Sequence, residues 1–134
     1  MNMQFNDLLA IEDRSYTIGE LSKSYGISLR TIRFYEEKGL LTPQRRGTNR
    51  RTYSVEDVRR LDFIVSCRQT GIAVDAIAML LDVKDKLTTD TFHSALTRQL
   101  RKRLAELDAE RSKIEEQRHA VLNWIGEMDG AGGN

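Results

Sequence analysis

The chain has 134 residues, 31% of them charged, and its 21 Lys and Arg against 20 Asp and Glu leave a formal charge of +1. That length suits one ordinary domain, or a small domain with an oligomerisation element. No apolar run reaches the ~18 residues that cross a bilayer, no basic stretch with an apolar core opens the chain, and the single cysteine, Cys67, excludes an internal disulfide framework and suits a reducing cytoplasm.

Residues 1–15 mix Phe5, Leu8, Leu9 and Ile11 with acids and read as an N-terminal extension, a loose helical turn or a disordered terminus. Thr17-Ile18-Gly19-Glu20 fits a capping box opening a short helix that ends near Tyr25-Gly26. Ser28 is the N-cap of a second helix, its hydroxyl suited to an orphan first-turn amide, and Lys38-Gly39 stops that helix. On a helical wheel Leu29, Ile32 and Tyr35 share one face, while Arg30, Arg33 and Lys38 point away from it. Phe34 falls on the polar arc, where packing under the next segment is its only evident role. Two short helices about three residues apart, with Gly at the turn, describe a helix-turn-helix whose second helix faces nucleic acid.

Pro43 disfavours helix at Thr42 and at itself. Gly47-Thr48-Asn49, set between Arg45-Arg46 and Arg50-Arg51, reads as a hairpin turn with short flanking strands, the wing of a winged helix-turn-helix. Arginines on both arms suit phosphates beside the groove that the reading helix enters. Ser54-Val55-Glu56-Asp57 opens a third helix to about Gln69, buried through Val55, Val58, Leu61, Phe63, Ile64, Val65 and Cys67 and ended by Gly71. Cys67 reads as a small core hydrophobe, since a reactive thiol needs exposure and a lowered pKa. Residues 72–81 make a fourth helix, apolar at Val74, Ile77, Leu80 and Leu81.

From Thr88-Thr89 to about Met128 there is no Pro, and no Gly before Gly126. Leu100, Leu107, Ile114, Val121 and Met128 recur every seventh residue, and Leu104, Arg111, Arg118 and Ile125 interleave with them. A lone helix of ~40 residues, ~60 Å long, buries no such seam within a small domain, so a second copy is the simplest partner. Arg111 and Arg118 lie mid-seam, where acids of the second copy answer them or they snorkel to solvent. The expected fold is mainly α: an N-terminal extension (1–15), a winged helix-turn-helix domain with a small β wing (16–86), a long coiled-coil dimerisation helix (87–128) and a flexible tail (129–134).

The near-zero total charge hides an asymmetry. Between residues 30 and 60 nine bases face four acids, a local balance of +5, whereas beyond residue 70 nine bases meet eleven acids. A basic patch on a near-neutral chain points to a polyanion-binding face, with a merely solvated surface as the plain alternative. Three stretches, T-I-G-E-L-S from Thr17, S-L-R-T-I-R-F-Y-E-E-K-G-L-L from Ser28 and R-R-T-Y-S from Arg50, resemble the MerR family of bacterial transcriptional regulators. The likeness runs in order over about residues 16–85. It implies double-stranded DNA contacts at Arg33, Tyr35, Arg51 and Tyr53, antiparallel pairing of the long helices, and RNA polymerase as a partner at a promoter with an over-long spacer that the bound regulator twists and shortens. Charge and position add Arg30, Arg45, Arg46 and Arg50 to the DNA-binding set, and Ser28, Thr31 and Lys38 suit backbone contacts. Asn49-Arg50 stands where relatives carry a Gly-Tyr pair, leaving the wing tip's contacts open, and Ala73 and Ala76 stand where relatives often carry a cap and an acid.

No catalytic constellation is recognisable, so an enzyme is not expected, nor is a cofactor. Metal-sensing relatives place cysteine thiolates around the long helix and none stand here, while His93 and His119 are isolated, so no metal site is expected. Resemblance to short, cysteine-poor relatives that control catabolic operons makes a small organic effector the first choice. The competing readings are an architectural, excisionase-like DNA-bending protein without effector and a helical adaptor that ignores DNA.

Overall fold

A computed structural model describes residues 11–46 and 50–132, in the order β1 (Tyr16–Thr17), α1 (Ile18–Tyr25), α2 (Leu29–Glu37), β2 (Gln44–Arg46), β3 (Arg50–Tyr53), α3 (Val55–Gln69), α4 (Val74–Lys86) and α5 (Thr89–Gly132). The expected hairpin turn at 47–49 and most of the N-terminal extension lie outside the described residues.

The capping signals operate as their spacing predicts. Thr17 Oγ1 accepts from the Glu20 amide at 3.1 Å while the Glu20 carboxylate takes the Thr17 amide, which opens α1. Ser28 Oγ accepts from the Thr31 amide at 3.0 Å and opens α2. Gly39, at φ 76, turns the chain off α2: its amide donates to Glu36 O and the Leu40 amide donates to Tyr35 O, each at 2.9 Å. This Schellman closure needs a left-handed residue, which is why Gly stands there. Ser54 and Asp57 form the box that opens α3. Ala73 starts α4 with no side-chain cap bond, as its methyl dictates.

The wing strands β2 and β3 pair antiparallel with Arg45 opposite Arg51, and the sheet has order β1-β3-β2. The third strand, β1, was not foreseen, because two residues carry no readable alternation. It sets Tyr16 opposite Tyr53, and both rings are buried. They join Leu21, Ile32, Leu61, Ile64, Ile77, Leu80 and Leu81 in one core. Leu29, expected on the apolar face of α2, is instead 40% exposed, since its first-turn position precedes the stretch that α2 lays on the core.

Three polar residues of α3 are buried and satisfied. Asp57 accepts from the Ser54 amide at 3.2 Å and the Thr42 amide at 3.3 Å, which ties the segment after α2 to the start of α3. Tyr25 donates its hydroxyl to Asp62 Oδ1 at 3.1 Å, and Ser66 Oγ donates to Asp62 O at 2.8 Å. Burial lifts the Asp62 carboxyl above its usual range, and the Tyr25 hydroxyl draws it back.

The chain divides into two compact units between Leu96 and Thr97, later than the expected 86/87 boundary. In the first unit Phe92, Ala95 and Leu96 of α5 pack on the core, with the Phe92 ring 5.5 Å from that of Phe63. In the second unit, helix continues through the expected tail to Gly132, because the intrahelical ladder outweighs the roughly 1 kcal/mol cost of an interior Gly. There Leu100, Leu104, Leu107, Ile114, Val121, Ile125 and Met128 are all exposed in the single chain, and so are Arg111 and Arg118.

Candidate nucleic-acid interface

The candidate interface is built on α2 and the wing. Because Ile32 and Tyr35 go into the core, helical geometry turns Arg30, Arg33 and Lys38 outward, and all three are exposed. Phe34 shares that outer face at 39% exposed, with the Lys38 ammonium 5.6 Å from its ring centroid. A cationic arc around one exposed ring suits a groove floor that offers phosphate rims and base edges.

The other expected contacts sort differently. Ser28 spends its hydroxyl on the helix cap and on Thr31 Oγ1 at 2.8 Å, which positions the first turn. Tyr35 is buried, and burial pushes its hydroxyl up while Arg68 draws it down. Tyr53 is fully buried and donates its hydroxyl to Glu36, so its ring presents no surface to a duplex. The alternation of β3 explains this, since Tyr53 must fill the core opposite Tyr16.

Arg51 is partly exposed, with its Nε 3.2 Å from Glu36 Oε2. Glu36 thus joins α2 to β3 through two donors, Arg51 and Tyr53, a role the sequence pattern missed. The available signal was the helical wheel, which sets Glu36 beside the core residue Ile32 while Glu37 falls on the outer face. The side chains of Arg45, Arg46 and Arg50 lie outside the described structure, whereas their strands place the backbone of all three in the wing. Arg60, counted in the basic segment, is committed inward: Nε donates to Leu40 O at 2.9 Å and Nη1 pairs with Asp85.

Among the described residues no three His, Cys, Asp or Glu gather as a metal-ligand cluster. Cys67 is buried, and burial pushes its thiol up to about 11. No helix among the described residues is long and apolar enough to cross a membrane.

Comparison with known proteins places this geometry. A family model described as "MerR HTH family regulatory protein" matches residues 16–84, and a second, "MerR, DNA binding", matches residues 58–123. The HTH-type transcriptional regulator ZntR homolog of Haemophilus influenzae is 33% identical over 79% of this chain and 83% of its own. The heavy metal-dependent transcription regulator 2 of Rhizobium meliloti is 32% identical over 84% and 76%. Among solved structures, HiNmlR, a MerR family regulator lacking the sensor domain and bound to promoter DNA, shares the fold with a TM-score of 0.59 at 24% identity, over 77% of this chain and 80% of that one.

Proposed function

Because the chain belongs to the MerR family of DNA-binding transcriptional regulators, we propose that it acts as a homodimer on an inverted-repeat operator. Arg30, Arg33 and Lys38 of α2 enter the major groove, with Arg33 at base edges or their flanking phosphates. Thr31 and the N-terminus of α2 approach the backbone. Arg51, with Arg45, Arg46 and Arg50, grips phosphates beside that groove. Tyr35 and Tyr53 act from within the core, holding α2 and β3 in register. Dimerisation uses the α5 seam from Leu100 to Met128, and Arg111 and Arg118 mark its middle. The observation that carries this reading is the outward cationic face of α2 joined through Glu36 to an arginine-bearing wing.

At its promoter the dimer acts with RNA polymerase by deforming the duplex between polymerase elements. The response is to a small organic molecule. One relative is named as heavy metal-dependent, which favours a metal as the second reading. A soft metal is held by thiolates, however, and the one cysteine is buried with its thiol pushed up to about 11. The residues present do not fit such a thiolate site.

Selecting duplexes from fragmented host DNA with the purified chain tests the whole reading. A palindromic site is expected, with log K falling against log salt at a slope of roughly −7 to −9 for four or five phosphates per protomer. Arg33→Ala is expected to weaken that site while leaving the dimer intact by sedimentation. An unchanged affinity refutes the assigned reading face. Bending of the site without any change in transcription from its promoter leaves an architectural protein instead.

A further inference from the structure

A carboxylate on a face that meets phosphates is costly, because like charge repels the ligand. Glu37 alone of the two α2 acids is exposed on that face, whereas Glu36, in the same last turn, is turned toward the wing with a side chain only 12% exposed. Its oxygens are both answered from β3: Tyr53 donates its hydroxyl to Oε1, and Arg51 Nε lies 3.2 Å from Oε2. Residues 51 and 53 alternate along the strand, so they reach α2 from one face of the wing. Arginine donates through Nε and through two Nη groups, so a carboxylate on Nε leaves the Nη edge to take a phosphate.

We propose that Glu36 is a positioning residue for DNA binding, which holds the Arg51 guanidinium ready for a phosphate and locks the wing to the reading helix. The proposal rests on the reading that the wing arginine meets DNA. A free arginine must be ordered when it binds, and Glu36 does this in advance for two copies per dimer. The hold extends through the sheet, since Arg51 pairs with Arg45 of β2 and Tyr53 with Tyr16 of β1. The wing's aim is therefore set from α2.

The test is a double-mutant cycle on a selected duplex, with dissociation constants measured across a salt series at a temperature where circular dichroism reports every variant folded. Arg51→Ala is expected to make the salt slope shallower by roughly 2, one phosphate per protomer. Glu36→Ala is expected to bind about tenfold or more weakly with a similar loss of slope. In the Arg51→Ala background the same change is expected to cost less than about twofold, because the residue acts through Arg51. Glu36→Gln keeps one acceptor oxygen but sets a donor NH2 in place of the other, so it is expected to recover only part of the loss. If Glu36→Ala does not fold, Glu36→Leu replaces it in both backgrounds, because its side chain fills similar space and accepts from neither donor. Equal costs in the two backgrounds overturn the proposal in favour of a plain stabilising contact. Tighter binding by either Glu36 variant overturns it in favour of simple repulsion. An unchanged slope in Arg51→Ala removes the wing contact itself, and with it the proposal.

Discussion

Truncation of the α5 seam tests the dimer most directly, and Leu107→Ala is the cleanest perturbation. Leu107 is 40% exposed in the single chain, so pairing can remove only that share from water. Burying a whole Leu side chain is worth about 1.5–3 kcal/mol, so the remaining two-fifths gives about 0.6–1.2 kcal/mol per copy. Two copies lose about 1.2–2.4 kcal/mol, which is roughly an 8- to 60-fold rise in the dimer dissociation constant before any cavity term is added. Sedimentation equilibrium over a nanomolar-to-micromolar series reads that shift. Far-UV circular dichroism at low concentration should fall with it, because a lone helix of this kind is marginal in water. Lys113→Ala, off the seam and exposed, is the control. A dissociation constant unchanged within about twofold in Leu107→Ala would refute the seam as the dimer interface, as would a wild-type chain that stays monomeric at micromolar concentration.

Three further outcomes follow from the DNA-binding unit. Tyr25→Phe removes the donor to the buried Asp62 carboxyl and is expected to cost about 1.5–3 kcal/mol near neutral pH. A carboxyl raised in the fold supports stability at low pH and loses that support as pH rises through its native value. Without the Tyr25 hydroxyl that value rises further, so urea melts should find the penalty smaller near about pH 4. A penalty independent of pH refutes the pairing. Ala73→Ser supplies the missing cap to α4 at a residue already in cap geometry, φ −67 and ψ 149, and should add about 0.5–2 kcal/mol in the same melts. No gain would mean that the amides of that first turn are already satisfied. Cys67, with a thiol near 11, carries roughly one thiolate in a thousand at about pH 8 and should resist alkylation until urea unfolds the chain. Fast labelling of the native protein would contradict its burial.

Local chemistry made much of this molecule legible in its sequence. Caps at Thr17, Ser28 and Ser54, the stop at Gly39 and the seven-residue seam act over one or two turns, so sequence spacing alone locates α1, α2, α3 and α5. The cationic face of α2 follows from the same periodicity once Ile32 and Tyr35 are taken as core. Contacts between distant residues decided the rest. Whether a tyrosine in β3 faces DNA or the interior depends on Tyr16, 37 positions earlier in the chain, and on Glu36 across the helix-to-wing gap. Whether an acid in α3 is solvated or buried depends on Tyr25 arriving from another helix. Spacing encodes which face of an element is apolar, whereas only packing assigns each polar side chain its partner, because that partner comes from another element.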